Sequence, residues 1–303
     1  MRVFITGASG HVGSALVPEL LHNGHQVLGL ARSDESAKRL TEWGAEAVRG
    51  DLDDLDRIRA AAGAADGVVH LAFRHDAMQA GDLAGAAESD LAALRAIGDV
   101  LAGTDKPLVS TSGTAMLEAI AQGRVATEED YDPNGGYRID AENLVVDLAG
   151  KGIRSSVVRL PPITHSRLDH HGFAPSLIAF ARKNGFAAYI GDGTNRWSSV
   201  HTLDAARLYR LALESAPAGS RLHAIQDEGI EFRVIAEAIG KGLGLPARSV
   251  TVEEAPQYLG YLSRFAGMGI PTSAARTSEL LNWHPTHPDL LADLATGFYF
   301  TQS

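Results

Sequence analysis

Three histidines lie within seven residues of one another, at His165, His170 and His171. Histidine titrates near neutrality, so such a group can supply or accept protons. We interpret His165 as a candidate proton donor to a carbonyl, or base for a hydroxyl. His170 and His171 are adjacent, which is poor spacing for binding one metal ion from one helix face, and no acidic pair completes a site. The sequence therefore predicts no metal site, and a polar surface loop for His170 and His171.

A glycine-rich turn, TGASGHVG, follows the first apolar run and opens a helical pattern. Glycine permits a tight turn there and lets backbone N–H groups approach a pyrophosphate, which the helix N-terminus favours electrostatically. The alternative is a glycine-rich turn that binds nothing. We predict a dinucleotide-binding loop formed by Gly7, Ser9, Gly10, His11, Val12 and Gly13.

The end of the second predicted strand bears on the choice between NAD and NADP. An NAD-selective site usually has an Asp or Glu there, which accepts hydrogen bonds from the ribose 2′-hydroxyl. This strand ends in LARS, with no acid before Asp34. Arg32 can pair with a 2′-phosphate, and Ser33 can add a hydrogen bond. We predict that NADP(H) is favoured over NAD(H); the alternative is a solvated Arg32.

Two further strand ends lie on the predicted path of the cofactor. Asp51 and Leu52 follow the third predicted strand, where they could meet the adenine. Leu71 and Ala72 follow the fourth. An aspartate that begins a helix is also a common helix cap, so the assignment of Asp51 has a structural alternative.

The elements that position these residues alternate between short apolar runs and helical patterns. Such alternation indicates a parallel sheet with helices on both faces, an α/β doubly wound fold of the Rossmann type. After Pro162 the alternation loosens. We predict a nucleotide-binding domain over 1–162, to which 187–228 adds a strand and a helix. A smaller, interleaved substrate lobe is predicted over 163–186 and 229–303.

Composition limits the classes of partner. The chain has 303 residues, a formal net charge of -10 and no cysteine. The negative charge disfavours nucleic acid and anionic membranes, and the lack of cysteine excludes disulfides and thiolate chemistry. The N-terminus lacks a signal-peptide pattern, and no run of about 20 apolar residues is present. We therefore expect a cytoplasmic protein that acts on a small molecule.

At this point the chain resembles the short-chain dehydrogenase/reductase superfamily, in its extended, epimerase/dehydratase-like branch. The resemblance rests on TGASGHVG, GDLDD, HLA, VSTSG, VVRLPP, GDGTNRWSSVHTLDAARL and LLNWHPTHPDLLADL, in that order over most of the chain. More narrowly, it resembles an atypical bacterial subgroup with Arg-x-x-x-Glu in place of the usual tyrosine and lysine. The resemblance implies a nicotinamide cofactor and a possible homodimer.

The family's proton-transfer unit is incomplete here. Alignment on Glu142 puts Asn134 at the usual tyrosine and Arg138 at the usual lysine. Arg138 can hold the ribose but stays protonated, and Asn134 cannot give up a proton at neutral pH. Tyr137, about one helical turn after Asn134, is a candidate replacement; the alternative is a tyrosine that packs at a helix start. The resemblance implies that Thr111 and Ser112 donate hydrogen bonds to the substrate oxygen.

The resemblance also implies positions near the substrate. Arg196 could clamp an anionic or carbonyl group, and Trp197 could supply a pocket wall. His201 is a further candidate, although it more often stabilises this turn. Pro161, at the end of VVRLPP, is expected beside the cofactor.

Three functions stay open at this level. The first is an NADPH-dependent oxidoreductase that reduces a small carbonyl, imine or activated alkene without the usual tyrosine-lysine pair. The second is an NADP-binding redox sensor without turnover, and the third is an epimerase or isomerase. An assay of NADPH consumption over a carbonyl panel separates the first two.

Overall fold

The computed structural model describes residues 1–136 and 138–301. Its strands are β1 (Arg2–Thr6), β2 (Gln26–Ala31), β3 (Glu46–Arg49), β4 (Gly67–His70), β5 (Pro107–Gly113), β6 (Arg154–Leu160), β7 (Ile163–His165), β8 (Ala187–Ile190), β9 (Arg196–His201), β10 (Ser220–His223), β11 (Asp227–Glu231) and β12 (Ala247–Val250).

The α-helices are α1 (His11–His22), α2 (Asp34–Glu42), α3 (Leu55–Ala64), α4 (His75–Gln79), α5 (Leu83–Leu101), α6 (Glu118–Ala121), α7 (Arg138–Asp147), α8 (Phe173–Asn184), α9 (Thr202–Ser215), α10 (Phe232–Leu243), α11 (Ala255–Leu259), α12 (Ser263–Ala266), α13 (Ala275–Leu281), α14 (Leu290–Ala295) and α15 (Phe298–Thr301). Short 3₁₀ helices occupy Thr114–Leu117, Leu148–Lys151 and Gly260–Leu262.

A seven-stranded parallel sheet forms the centre, in the order β10-β6-β5-β4-β1-β2-β3. The strand order reverses between β1 and β4, so a crevice opens at the carboxyl ends of these two strands. The strands are short, and β4 is buried along its whole length. The predicted doubly wound α/β fold of the Rossmann type is thereby confirmed.

Helices cover both faces of this sheet. On one face α1 packs against α9, and their apolar residues share a core with Val3, Val69 and Trp283. On the other face α3 packs against α5, around a core that includes Phe4 and Ile97. Successive residues of β1 thus point into opposite cores, which is the period-two pattern of a strand buried on both sides.

The remaining strands form two small sheets. β7, β9 and β11 make a three-stranded sheet, while β8 pairs with β12. Their core contains Leu177, Trp197 and Phe232. Within 187–228, therefore, α9 and β10 join the large sheet, whereas β8 and β9 belong to the small ones. The division into a nucleotide-binding domain and a substrate lobe stays a prediction.

Across residues 1–136 and 138–301, no helix combines the length and the apolar character needed to cross a membrane. The cytoplasmic location and the homodimer stay predictions.

Candidate active site

The glycine-rich loop between β1 and α1 is shaped for close backbone approach. Gly7 has φ +70°, and a β-carbon on it would lie 2.8 Å from the backbone nitrogen of Ala72. A β-carbon on Gly13 would lie 2.4 Å from the carbonyl oxygens of Gly7 and Ala8. Both positions therefore require glycine, because a methyl group would push the loop away from β4 or away from α1.

The amino end of α1 is free to receive an anion. The 12-residue helix begins after Gly10, which is exposed, and no side chain caps its first backbone amides. Those amides have no partner within the helix, and the helix dipole favours negative charge there. Ser9 is half-buried beside them, while Val12 packs its side chain against the core. The loop thus fits the pyrophosphate of a dinucleotide.

The side chain of His11 faces residues that are distant in sequence. Its Nε2 lies 2.9 Å from Thr202 Oγ1, and its Nδ1 lies 3.8 Å from Asp169 Oδ1. Burial, helped by the nearby His170, lowers the pKa of His11 to about 4, while burial raises the pKa of Asp169 to about 7. A neutral imidazole therefore joins the glycine loop to the start of α9.

At the adenosine end, Arg32 extends into solvent. Its side chain is 73% exposed, and the guanidinium lies 3.9 Å from the carboxylate of Asp76. Ser33 is the N-cap of α2, and its Oγ accepts a hydrogen bond of 3.1 Å from Ser36 N. Arg32 is thus free to turn toward a ligand, whereas the hydroxyl of Ser33 already has a local partner.

The residues that follow β3 and β4 differ in their exposure to solvent. After β3, Asp51 is exposed and accepts a hydrogen bond of 3.0 Å from Asp53 N, while Leu52 packs its side chain into the core. After β4, Leu71 and Ala72 are half-buried at the back of the glycine loop. Asp51 is therefore the exposed polar group at the end of β3, and its contact with adenine stays a prediction.

Thr111 and Ser112 end up in different environments on β5. The Thr111 hydroxyl donates to His70 O at 2.9 Å and lies 2.8 Å from the hydroxyl of Tyr209. Tyr209 is fully enclosed, and burial raises its pKa. Ser112 is 4% exposed, and its Oγ has no partner of good geometry among the described residues, although it lies close enough to Glu142 to help lower the pKa of that carboxyl. Ser112 is therefore the better placed donor for a substrate.

Arg138, the first residue of α7, is held from three sides. Its Nη2 donates to Thr111 O at 2.6 Å, and its guanidinium carbon lies 4.2 Å from the centre of the Phe73 ring. Its Nη1 is buried, lies 3.7 Å from Asp90 Oδ2, and has no hydrogen-bond partner among the described residues. A buried donor of this kind, next to the ends of β4 and β5, fits a ligand oxygen.

A buried chain of polar groups lies behind Arg138, and the sequence did not indicate it. Asp90 is 2% exposed and its Oδ1 lies 2.9 Å from His70 Nε2. His70 Nδ1 lies 2.9 Å from Thr6 Oγ1, which also accepts from Ala72 N. Asp90 therefore supplies the negative charge that a half-buried, permanently charged Arg138 requires.

Replacing Asp90 by asparagine is expected to lower the free energy of unfolding by about 3 kcal/mol, because it leaves a buried cation without its counter-charge. Denaturant unfolding measures this. Asp99→Asn is the matched control, since Asp99 is exposed on the same helix α5; a change within about 0.5 kcal/mol is expected there. Equal effects of the two changes would contradict the role of Asp90.

The segment before α7 departs from the family pattern. Asn134 is exposed, and both its backbone nitrogen and its Nδ2 donate to Asp132 Oδ1, at 2.8 and 3.1 Å. Tyr137 lies outside the described residues, so its role as a replacement acid stays a prediction. Asp140 accepts a hydrogen bond from Gly136 N at 3.0 Å.

Glu142 belongs to a second buried polar network. It is hydrogen-bonded to Arg159, which is 1% exposed, and accepts from Arg221 Nε at 2.9 Å. Arg159 Nη1 in turn lies 3.0 Å from His223 Nε2. This network joins α7 to the ends of β6 and β10, directly beneath Ser112.

Three predicted site residues lie away from open surface, and their roles stay predictions. His165 has no exposed surface, and its Nδ1 lies 2.7 Å from Asp293 Oδ2. Trp197 is also fully buried, packed between Phe173 and Phe232. Such burial speaks against proton donation to a ligand by His165 and against a pocket wall formed by Trp197. Pro161 is buried at the end of β6.

The two remaining substrate candidates have local partners. Arg196 is exposed and lies 3.6 Å from the carboxylate of Glu231. His201 caps α9, where its Nδ1 accepts from Leu203 N at 3.2 Å. Both roles stay predictions, and the capping geometry favours the structural alternative for His201.

One cluster has metal-ligand chemistry, formed by His201, Asp204 and His287, whose ligand atoms lie within 4.8 Å of one another. The rings of His201 and His287 are stacked, 4.7 Å apart and 9° from parallel. Stacked rings do not aim their nitrogens at one point. Both oxygens of Asp204 also accept backbone hydrogen bonds, from Thr286 N and His287 N. We therefore propose no metal site here.

The fold and the loop together define an extended short-chain dehydrogenase/reductase. The NAD dependent epimerase/dehydratase family matches residues 3–225, and the chain belongs to this family. The predicted resemblance to the superfamily is thus confirmed.

Individual relatives extend the match over the whole chain. An uncharacterised protein of Schizosaccharomyces pombe is 44% identical over 99% of this chain and 100% of its own length. A ketoreductase of Stigmatella aurantiaca that acts on 4-hydroxy-2-methyl-3-oxo-4-farnesyl-3,4-dihydroquinoline-1-oxide is 28% identical over 77% of this chain and 70% of its own. The dTDP-glucose 4,6-dehydratase of Bacillus anthracis, solved with NAD, is 14% identical with a TM-score of 0.78, over 100% of this chain and 97% of its own.

Proposed function

We propose that this protein is an NADPH-dependent oxidoreductase that reduces a small carbonyl, imine or activated alkene. The observation that carries the proposal is a pair of buried donors that have no hydrogen-bond partner among the described residues, Ser112 Oγ and Arg138 Nη1, at the same edge of the sheet as a glycine loop shaped for a pyrophosphate. Ser112 lies on β5, and Arg138, at the start of α7, reaches the same strand through its bond to Thr111 O; two such donors suit one ligand that carries oxygen atoms. The ketoreductase relative supports a carbonyl substrate.

The protein's own groups have separate tasks in this reaction. A bound nicotinamide would supply or accept hydride. The loop from Gly7 to Gly13 would hold the pyrophosphate through backbone amides, and Arg138 would hold the nicotinamide ribose. Ser112 would donate a hydrogen bond to the substrate oxygen and polarise the bond that is reduced. Arg138 keeps its own proton, since a guanidinium is protonated at every accessible pH.

The proposed preference for NADPH rests on Arg32. Its exposed guanidinium stands at the end of β2, where an NAD-selective site has a carboxylate. The neighbouring Asp76 lies 3.9 Å away, and a 2′-phosphate would compete with it for the same cation. Arg49 already lies 3.1 Å from Asp34 and is less free.

Arg32→Ala is expected to weaken NADPH binding about tenfold and to leave NADH binding nearly unchanged, because only NADPH offers a phosphate to this exposed cation. Fluorescence titration with each nucleotide measures this. Arg59→Ala is the control, since Arg59 is a partly exposed arginine on α3 that pairs with Asp56 at 3.0 Å. Equal loss for NADPH and NADH would contradict the preference.

Turnover itself is tested by NADPH consumption over aldehydes, ketones, quinones, imines and enones. Oxidation of NADPH with any of them supports the reductase. Selective binding without turnover would favour a redox sensor, which the absence of the tyrosine-lysine pair makes the second candidate. Interconversion of a nucleotide sugar without net NADPH loss would favour the epimerase, the reaction named for a Corynebacterium glutamicum UDP-glucose 4-epimerase that is 25% identical over 100% of this chain.

A further inference from the structure

One aromatic ring joins Arg138 to a histidine that has no part in the function described so far. The Phe73 ring lies under the guanidinium of Arg138, and the ring of His75 meets it edge-on, with centroids 5.3 Å apart and planes at 77°. Phe73 and His75 follow directly after Ala72, at the exit of β4. His75 therefore lies beside the end of the sheet at which Arg138 contacts Thr111, the residue before Ser112.

Three other titratable side chains near this end of the sheet, all within the described residues, are already bound or enclosed. Both ring nitrogens of His70 have hydrogen-bond partners, Thr6 and Asp90. Tyr209 is fully buried against Thr111, and burial raises its pKa. Both ring nitrogens of His223 likewise have partners, Arg159 Nη1 at 3.0 Å and the carbonyl oxygen of Ser273 at 2.7 Å.

His75 differs from these groups in its access to solvent. It is exposed at the start of α4, and its described polar neighbours include the backbone carbonyl of Phe73, which hydrogen-bonds to the imidazole. Its surroundings are nevertheless charged. Arg138 on α7, Asp90 on α5 and Asp76 on its own helix all act on the imidazole. An imidazole that is open to solvent on one side and near a fixed guanidinium on the other can pass protons in both directions.

We propose that His75 exchanges the proton with the substrate oxygen, in place of the tyrosine that the family pattern lacks here. The proposal rests on the oxidoreductase function proposed above. Arg138 keeps the ribose-binding part of the missing pair, and His75 takes the proton-transfer part.

The step balances with the groups named. When hydride adds to the carbonyl carbon, the electron pair of the broken C=O π bond moves to oxygen, which then needs one proton. The imidazolium N–H of His75 breaks, the substrate O–H forms, and the ring becomes neutral. Its exposed edge lets it regain a proton from solvent. In alcohol oxidation the neutral ring accepts the proton and passes it to solvent.

The direction of the pH dependence follows from the surroundings. Burial, then the positive charge of Arg138, lower the pKa of His75 below its ordinary 6.5. Near neutral pH the ring is therefore mostly neutral, which suits the base required for alcohol oxidation. For reduction, kcat/KM should rise as pH falls below neutrality, because the protonated fraction of His75 increases.

Histidine NMR tests the placement without any substrate. In ¹³C,¹⁵N-histidine-labelled protein, the resonance that disappears in His75→Gln is assigned to His75 and titrated. A pKa below 6.5 that rises in Arg138→Gln is expected. A His75 pKa that is ordinary and does not change in Arg138→Gln overturns the proposal, whether or not the protein turns over substrate. If Arg138→Gln does not fold, the charge near His75 is changed instead by adding NADP⁺, which is expected to bind in the same cleft. A His75 resonance that does not move on this addition likewise overturns the proposal.

Kinetics then separates this proposal from the proposed function. Benzaldehyde and ethyl acetoacetate serve as carbonyl probes, with NADPH. His75→Gln should lower kcat about 100-fold and abolish the rise in kcat/KM toward acid pH, with NADPH affinity unchanged. His22→Gln, an exposed histidine at the end of α1, is the control and should change nothing.

The outcomes are distinct. A wild-type protein that binds NADPH and reduces neither these probes nor the wider panel argues against the oxidoreductase, and the NMR result alone then decides on His75. Turnover that His75→Gln leaves intact, with the rise in kcat/KM toward acid pH retained, overturns the assignment of His75 and leaves the oxidoreductase standing. If Tyr137→Phe removes the activity instead, the proton passes through Tyr137 and the proposal is wrong.

Discussion

Replacing Gly13 by alanine is expected to weaken binding of NADPH between about 5-fold and 150-fold, because the added methyl group overpacks the loop at a cost of about 1–3 kcal/mol. Its carbon would stand 2.4 Å from two backbone oxygens, those of Gly7 and Ala8, and neither can rotate away as a side chain could. The loop must therefore lift from the amino end of α1. Fluorescence titration measures the affinity, and denaturant unfolding shows whether the fold survives.

The matched control is Gly63→Ala, in the helical segment α3. A β-carbon there meets nothing within 4 Å. Alanine in a helix interior is more favourable than glycine, so a gain of about 0.5–1 kcal/mol in the free energy of unfolding is expected, with NADPH affinity unchanged. If Gly13→Ala bound NADPH as well as Gly63→Ala does, the pyrophosphate would not sit on this loop.

The second large effect is expected from Glu142→Gln, which should lower the free energy of unfolding by about 3–5 kcal/mol. The substitution keeps the shape and removes the charge that Arg159 and Arg221 share. Arg159 is enclosed on all sides, so its guanidinium cannot turn to water for compensation. Asp147→Asn is the control, since Asp147 is exposed at the end of the same helix and is expected to change stability by less than about 0.5 kcal/mol.

The stabilisation by Glu142 should depend on pH in a defined direction. Burial alone would raise its pKa, but hydrogen bonds and charge from Arg159 outweigh this and hold the pKa below its ordinary 4.5. A depressed folded-state pKa means stability that is fully present above 4.5 and lost as pH falls toward the folded-state pKa. The difference between wild type and Glu142→Gln should therefore shrink in acid. A difference that stays constant down to the acid transition would contradict the assignment.

The features that the sequence predicted well are local ones. The strand-helix alternation predicted the parallel sheet, because each strand and helix carries its own periodicity. The glycine spacing predicted the loop, because the tight turn and the close approach to β4 involve neighbouring residues. The position of Arg32 at the end of β2 could be predicted for the same reason, since the strand ends where its apolar run stops.

The features that it did not predict depend on residues distant in sequence. His165 was interpreted as a proton donor because three histidines lie close together, but its partner Asp293 lies 128 residues away in sequence, and that pairing encloses it. Glu142 served to align the family pattern, and its partners lie 17 and 79 residues further on. His70 and Asp90, 20 residues apart, meet across two elements. A local sequence pattern does not predict such pairings.

The contact between α1 and α9 has a consequence for how the chain acquires its shape. α1 is made within the first 22 residues, but the helix that covers its apolar side begins at Thr202, whose hydroxyl also meets His11. During synthesis from the N-terminus, that apolar side must wait for some 180 further residues, which take roughly 10–40 s at ordinary elongation rates. The nucleotide loop is synthesised first but is among the last parts to be completed, because α9 must pack beside it. A nascent chain halted near residue 162 would expose the apolar side of α1 and would be prone to aggregation.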